Sequence, residues 1–492
     1  MKKYLLEVAV FLCGAVLMIF EIVGSRVVAP YFGTSIYVWT SLIGVILASL
    51  SAGYWLGGRI ADKNPSFKGL SRIILASAIF IILATILKGY VLDYLSQVFS
   101  DMIMRTLLAA IILFAPASIF LGMVSPYAIR LKLKTISSSG KTVGNLYAIS
   151  TVGSILGTFL VGFVLIPFAG TTNILYIIAG TLVAVAFSLG FKFFSKGDFI
   201  LTILVLAVSG YDIYLLHTSE KQIIEVDTRY NHVQIFERNY WINGAPIKVM
   251  KVNDEYSSAM FPDNDSLVYE YTWFYQLAEH FKPGFYKTLL IGGAAYSYPK
   301  YYLSKYPEAS IDVVEIDPGL TDLARKHFRL VDNPRLRIFH EDGRTFLNNS
   351  PERYDVILGD AFKSLMSIPF QLTTLEAARR KYDMLEQDGI VIVNIIASME
   401  GPASEFLYSE YVTYREVFPQ VYIFACHDPE DPGMVQSISL IALKSTSVPS
   451  FYNADPLLNN FLSHKVNPEI SPEAMILTDD YAPVEYFTRK AL

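Results

Sequence analysis

TLLIGGAAYSYPKYYLSKYPEASIDVVEIDP occupies residues 288–318, and its order of element types decides the fold of the C-terminal half. TLLIGG (288–293) is a short apolar run closed by two glycines, the pattern of a buried strand entering a tight turn. A helical stretch through Tyr298–Lys305 follows, and then a second apolar run, IDVVEI (311–316). Pro318 stands at the favoured first position of the next helix, LTDLARKHF. RLRIF (335–339), YDVIL (354–358), IVIVNI (390–395) and VYIFA (421–425) continue the series. Strands alternating with helices predict a Rossmann-like α/β domain, a parallel sheet with right-handed crossovers. In such sheets ligands bind beyond the carboxyl ends of the strands.

Three carboxylates stand at those ends. Glu315 closes the second strand, 22 positions after Gly293, where an acid can grip both hydroxyls of a ribose. Asp342, followed by Gly343, comes after the third strand, where a carboxylate can accept from an adenine amino group. Asp360 follows the fourth strand and faces the place where a reactive group would lie. The first turn, Gly292-Gly293-Ala294-Ala295-Tyr296-Ser297, is not G-x-G-x-x-G, but its two glycines permit close backbone approach. Helix capping or solvation in a loop is the plainer account of each acid taken singly. As an ordered set they point to a nucleotide pocket.

Upstream of this domain, residues 222–252 alternate apolar and polar side chains in short runs broken by Asn243-Gly244, which predicts a small β-hairpin module. The expected organisation is a helical domain over 1–218, the β module over 219–262 and the Rossmann-like domain over 263–492.

The first part differs in kind. Across 492 residues, 53% are hydrophobic and 17% charged, with a mean hydropathy of +0.38, too apolar for a wholly soluble chain. Crossing a bilayer core of about 30 Å takes about 20 mostly apolar helical residues. Seven stretches qualify: about 5–28, 36–58, 70–92, 103–126, 143–166, 172–193 and 198–216. Gly53-x-x-x-Gly57 and Gly153-x-x-x-Gly157 suggest close helix packing.

Basic residues gather in alternate loops: Arg59, Lys63, Lys68 and Arg72; then Arg130, Lys132, Lys134 and Lys141; then Lys192 and Lys196. Lys2 and Lys3 fall on the same side, so the charge bias predicts a multi-pass protein of the cell membrane with a cytoplasmic N-terminus. Seven crossings would then place the soluble half outside, in conflict with a cofactor made in the cytosol. A net charge of −5 argues against nucleic acid as a partner, since phosphate binding needs a clustered basic surface. Two cysteines, Cys13 and Cys426, provide neither a disulfide framework nor a cysteine-based zinc site, and no metal is expected.

Several segments in order resemble the spermidine synthases: DTRYNHVQIFE, LLIGGAAYSYPKYY, VVEIDPGLTDLARKHF, HEDGRTFL, YDVILGDAF and LTTLEAARRKYDMLEQDG. GYWLGGRIADK, LGMVSPYAIRL, GNLYAISTVGSILGTFLVGFVLIP and LTDDYAPVEYF look like the membrane-fused bacterial form of that family. The resemblance implies an aminopropyltransferase that uses decarboxylated S-adenosylmethionine and a small amine or polyamine. Gly292, Gly293, Glu315, Asp342 and Gly343 would bind the nucleoside, Asp360 would be the general base, and Tyr230 would stand near the acceptor amine. A homo-oligomer is expected by the same likeness, alongside the lipid bilayer.

Two positions depart from the pattern. Ala295 stands where soluble spermidine synthases carry an acid for the cofactor's free amine. Lys363 stands where they carry a second acid for the diamine. At about 4 Å and an effective dielectric of 20, a cation there would repel an ammonium by on the order of 4 kcal/mol. Ala295 leaves open a methyltransferase using intact S-adenosylmethionine on a membrane-associated substrate, and the likeness of GYWLGGRIADK to the glycine-arginine-aspartate loop of major facilitator transporters leaves open a transporter-like protein with a nucleotide-sensing domain.

Overall fold

The computed structural model describes residues 4–99, 101–133, 139–190, 199, 202–203, 207, 210, 223–253, 255–361, 368–467 and 469–489. The chain divides into two compact units, Met1–Lys221 and Gln222–Leu492.

In the first unit, helices α1 (Leu5–Phe32), α2 (Ile36–Lys63) and α3 (Phe67–Val98) are each long and apolar enough to cross a membrane. So are Ser139–Phe168, which begins with α6 (Ser139–Leu160), and Thr171–Gly190. The fourth expected span differs. It is two helices, α4 (Met102–Leu113) and α5 (Ala115–Lys132), bent by 52° at Phe114. Pro116 accounts for the break, because its ring lacks an N–H and clashes with the carbonyl four residues earlier. The seventh candidate, 198–216, lies almost wholly outside the described residues.

The glycine pairs act as close-packing positions. A Cβ at Gly57 would meet the Met123 backbone at 2.7 Å, and Gly53 faces Ile119 in the same way, so α2 lies directly on α5. A Cβ at Gly157 would stand 2.5 Å from the Ala15 carbonyl, and Gly153 likewise abuts Phe11, joining α6 to α1. Hydroxyls on these helices find partners nearby: Ser41 and Thr106 lie 3.0 Å apart, and Ser77 donates to the Ala117 carbonyl at 3.3 Å. Small residues with local hydroxyl bonds are what helices need where no water competes.

The second unit opens with an antiparallel meander, β1 (Ile223–Asp227), β2 (His232–Asn239), β3 (Pro246–Val252) and β4 (Glu255–Met260). The expected hairpin is therefore part of a four-stranded sheet, with Gly244 at φ +73 in the β2–β3 turn. Val233, Ile235, Met250 and Val252 pack against Leu320 and Phe328, so the small sheet shares a core with the larger domain.

That domain contains β5 (Lys287–Ile291), β6 (Ser310–Val314), β7 (Leu336–Phe339), β8 (Tyr354–Gly359), β9 (Leu385–Ala397), β10 (Gln420–Ala425), β11 (Gln436–Leu443) and β12 (Lys465–Val466). They form one sheet in the order β12-β10-β11-β9-β8-β5-β6-β7. The run from β7 to β9 is parallel. Beyond β9 the sheet departs from the all-parallel expectation: β11 inserts antiparallel between β9 and β10. VYIFA (421–425) thus points the same way as β9 but is held off by QSISLIAL, a strand not among those expected from the sequence. A short connection after β10 returns the chain by a hairpin, which must be antiparallel.

Alternation along the central strands buries both faces. Leu289, Ile291, Ile357 and Val391 pack on one side, and Leu290, Val356, Leu358 and Ile392 on the other. Two covered faces explain why these strands read as unbroken apolar runs.

Candidate functional site

The site forms where the parallel strands end. β5 and β8 are neighbours, so the turn after β5 meets the first residue after β8. Asp360 donates its backbone N–H to the Ile291 carbonyl at 2.9 Å, and Gly292 donates to Val314 on β6, also at 2.9 Å. Gly292 has φ +103, and a Cβ on it would lie 2.5 Å from the Asp360 carbonyl oxygen. Only glycine fits both the dihedral and the space. Tyr296, in the left-handed region at φ 58, anchors the far end of the turn through a 2.7 Å hydroxyl bond with Thr321.

Glu315, at the end of β6, is buried and turned toward this loop. One carboxylate oxygen accepts from the N–H groups of Gly293 (2.9 Å) and Ala294 (3.0 Å), and the other from Asp317 N–H at 2.9 Å. Glu315 therefore holds the glycine turn open and in register with β6. A carboxylate can take about four hydrogen bonds, so acceptor capacity remains for a ligand hydroxyl. Asp317 extends the network to the small sheet, accepting from Asn231 Nδ2 at 2.7 Å and from the Thr228 hydroxyl, while its other oxygen caps Gly319.

Asp360 stands beside the turn. Its carboxyl accepts from the Tyr271 hydroxyl at 3.2 Å and, at a long 3.5 Å, from Asn394 Nδ2. Burial pushes its pKa up to about 7 against the pull of these donors. Asn394 projects from β9, and its carbonyl oxygen has no hydrogen-bond partner among the described residues. Gly292, Gly293, Glu315, Tyr271, Asp360 and Asn394 line a single cavity of about 250 Å³. It offers a backbone cradle, a buried acid held by amides and a second acid poised to exchange a proton near neutrality.

Residues 273–448 match the spermine/spermidine synthase domain family. The polyamine aminopropyltransferase of Streptococcus uberis is 30% identical over 206 residues, 40% of this chain and 70% of the relative. The chain belongs to the polyamine aminopropyltransferase (spermidine synthase) family. The Vibrio vulnificus aminopropyltransferase is 27% identical over 41% of this chain and 66% of its own length. A probable aminopropyl transferase of Bifidobacterium longum is 29% identical over 42% and 49%. The chain thus spans about half to two thirds of the length of these last two relatives. Among solved structures, a probable spermidine synthase from Corynebacterium glutamicum is 21% identical, with a TM-score of 0.42, covering 51% of this chain and 95% of that one.

Within this family member the expected site residues do not all converge. Gly292, Gly293, Glu315 and Asp360 line the cavity. Asp342 and Gly343 are not among its lining residues: Asp342 caps the helix Gly343–Asn349, accepting from Thr345 N–H at 3.0 Å. Gly343 packs closely on β5, where a Cβ would meet the Ile291 side chain at 2.8 Å. Tyr230 also lies away from the cavity, with 48% of its surface exposed, while its neighbours Thr228 and Asn231 hold Asp317. Ala295 is fully buried in the core shared with the small sheet, so its neighbour Ala294 is the one that reaches the cavity. Lys363 lies outside the described residues.

Tyr271 and Asn394 were missed in the sequence. Asn394 carried a signal, a lone amide inside the apolar strand IVIVNIIA, where an unpaired polar group is costly. Tyr271 sits in an aromatic-rich run, Tyr269 to Tyr275, with nothing to single it out.

Proposed function

We propose that this chain is a membrane-anchored aminopropyltransferase that moves a 3-aminopropyl group from decarboxylated S-adenosylmethionine to an amine, with Asp360 as general base. The observation that carries the reading is a carboxyl raised to a pKa of about 7 and set against a glycine turn that Glu315 locks. The residues lining the cavity suit the nucleoside, with backbone lacking a Cβ at Gly292 and acceptor capacity on Glu315, and Asp342 would take the adenine edge.

An ammonium has no lone pair and cannot attack carbon. In the proposed step the acceptor ammonium gives one proton to Asp360, and the freed nitrogen lone pair forms the new C–N bond at the methylene next to sulfur. The C–S bond breaks, its electron pair stays on sulfur, and the sulfonium leaves as neutral methylthioadenosine. The Asn394 carbonyl oxygen, unpartnered among the described residues, would accept a second N–H and orient the nitrogen. A positioned base contributes about 100- to 10,000-fold. Alignment of nitrogen, carbon and sulfur supplies much of the rest.

Incubation of the detergent-solubilised chain with decarboxylated S-adenosylmethionine and amines is expected to release methylthioadenosine, and Asp360→Asn to abolish it. Release of S-adenosylhomocysteine from intact S-adenosylmethionine would replace this reading with methyl transfer. The apolar helices serve as the anchor, with a cytoplasmic N-terminus set by the Arg59–Arg72 and Arg130–Lys141 basic loops. Protease protection in sealed vesicles tests that orientation.

A further inference from the structure

The segment LTDDYAPVEYF (477–487) takes no part in the chemistry at Asp360, yet its first residues are fastened to the sheet domain. Leu477 is buried, donates its N–H to the Thr413 hydroxyl at 2.9 Å and accepts from Leu375 N–H at 2.8 Å. Thr478 and Tyr481 exchange backbone hydrogen bonds at 3.0 Å, which sets Asp479 at the tip of a tight turn. There it meets Arg344 fork to fork, with Nη1 to Oδ1 at 3.0 Å and Nη2 to Oδ2 at 2.6 Å. Arg344 Nη1 also donates to the Gln371 carbonyl at 2.9 Å and to the Thr374 hydroxyl at 3.0 Å. That hydroxyl donates in turn to Asp479 Oδ1 at 2.7 Å. One aspartate thus joins three stretches that are far apart in sequence.

Arg344 directly follows Asp342 and Gly343. Gly343 is enclosed from two sides, since a Cβ there would meet the Ile291 side chain at 2.8 Å and the Leu372 side chain at 3.5 Å. Leu372 is itself held, its carbonyl accepting from the buried Lys381 Nζ at 3.1 Å. Ile291 precedes Gly292, and its carbonyl accepts the Asp360 N–H. Contacts therefore run from Asp479 through Arg344 and Gly343 to the strand end that carries the glycine turn. The Asp479 side chain is 46% exposed and that of Arg344 14%. An ion pair half open to water adds little to folding stability, so the fork serves orientation more than it serves the fold.

We infer that Asp479 is a positioning residue for the nucleoside end of the site, fixing the Asp342–Gly343 turn against Ile291 through Arg344. The inference rests on the nucleoside reading of the cavity and deepens it by giving the C-terminal segment a part in binding. Asp479 touches no reacting atom. Residues that support a binding constellation from behind set its geometry, and a ligand that must first order a loosened turn binds more weakly. Asparagine at 479 keeps the shape but loses the charge. Lysine at 344 keeps the charge but loses the planar fork.

Calorimetric titration of the full chain in detergent with methylthioadenosine, well below the Tm of each protein, tests this. Asp479→Asn and Arg344→Lys are each expected to weaken binding by about tenfold, the worth of roughly one charge-assisted contact. The double variant is expected to bind no more weakly than either single one, because both substitutions break the same link. In turnover the single variants are expected to raise KM for decarboxylated S-adenosylmethionine and leave kcat unchanged. Arg344→Lys carries the test should Asp479→Asn fail to fold. Unchanged affinity in folded variants, losses that multiply in the double variant, or a fall in kcat at constant KM overturns the inference and leaves the nucleoside reading standing. An unaltered protein that binds no methylthioadenosine overturns that reading and the inference with it.

Discussion

Gly292 and Asp360 are in backbone contact: a Cβ on the first would lie 2.5 Å from the carbonyl oxygen of the second. The turn that would cradle a nucleoside and the residue that would take the proton are therefore set by a single approach, made possible because β5 and β8 are adjacent.

Gly292→Ala should damage both. The substituted residue would have to hold φ +103, a strained region costing about 1–3 kcal/mol, and the methyl would push on Asp360. We expect a lower Tm and a fall in kcat of about 100-fold or more, since small displacements of reacting groups cost that much. Unaltered turnover in a stably folded Gly292→Ala protein would show that the approach is incidental.

The pH dependence of Asp360 has a definite sign. As a base it must be deprotonated, so kcat/KM should fall as pH drops through about 7. Its effect on stability runs the other way. A carboxyl whose folded pKa is raised is destabilising once charged, so its contribution to stability is lost as pH rises from about 4 through about 7. Asp360→Asn should therefore be inactive yet more stable than the parent at pH 8, with the gap closing toward pH 4. Thermal unfolding of both proteins across that range checks it.

Glu315→Gln removes an acceptor that faces three backbone N–H groups. The amide's own NH₂ would oppose at least one of them, and a buried unsatisfied donor costs about 1–3 kcal/mol. The expected result is a lower Tm together with weaker binding of methylthioadenosine. Loss of nucleoside affinity without loss of stability would mean that Glu315 acts on the ligand alone.

Asp342 can be resolved by two substitutions. Asp342→Ala removes the cap on the Gly343–Asn349 helix and should cost about 1 kcal/mol of stability. Asp342→Ser restores a capping oxygen but is too short to reach a ligand. If Asp342 contacts adenine as proposed, Ser recovers the Tm without recovering nucleoside affinity. Recovery of both would confine Asp342 to capping.

The order of strands and helices from 288 to 395 was legible because a sheet buried on both faces demands apolar runs, and glycine turns and caps punctuate them. The helical stretches of the first unit were legible for a similar reason, although the bend at Phe114 depends on how the chain resolves Pro116. What local pattern does not specify is lateral placement. QSISLIAL and VYIFA are both plausible strands, and only the hairpin between them decides that the first inserts beside β9.

Spacing alone placed acids at strand ends, which is a property of position along the chain. Which of them meet is a property of pairing across it. Glu315 and Asp360 converge because β6, β5 and β8 lie side by side, whereas Asp342, one strand further out beyond β7, spends its carboxylate on a helix end. Tyr271 and Asn394 join the site from elements far away in sequence, and no periodicity could have brought them there. Side-chain chemistry and strand ends are written locally, but a cavity is a set of long-range contacts, and these exist only once the sheet has chosen its order.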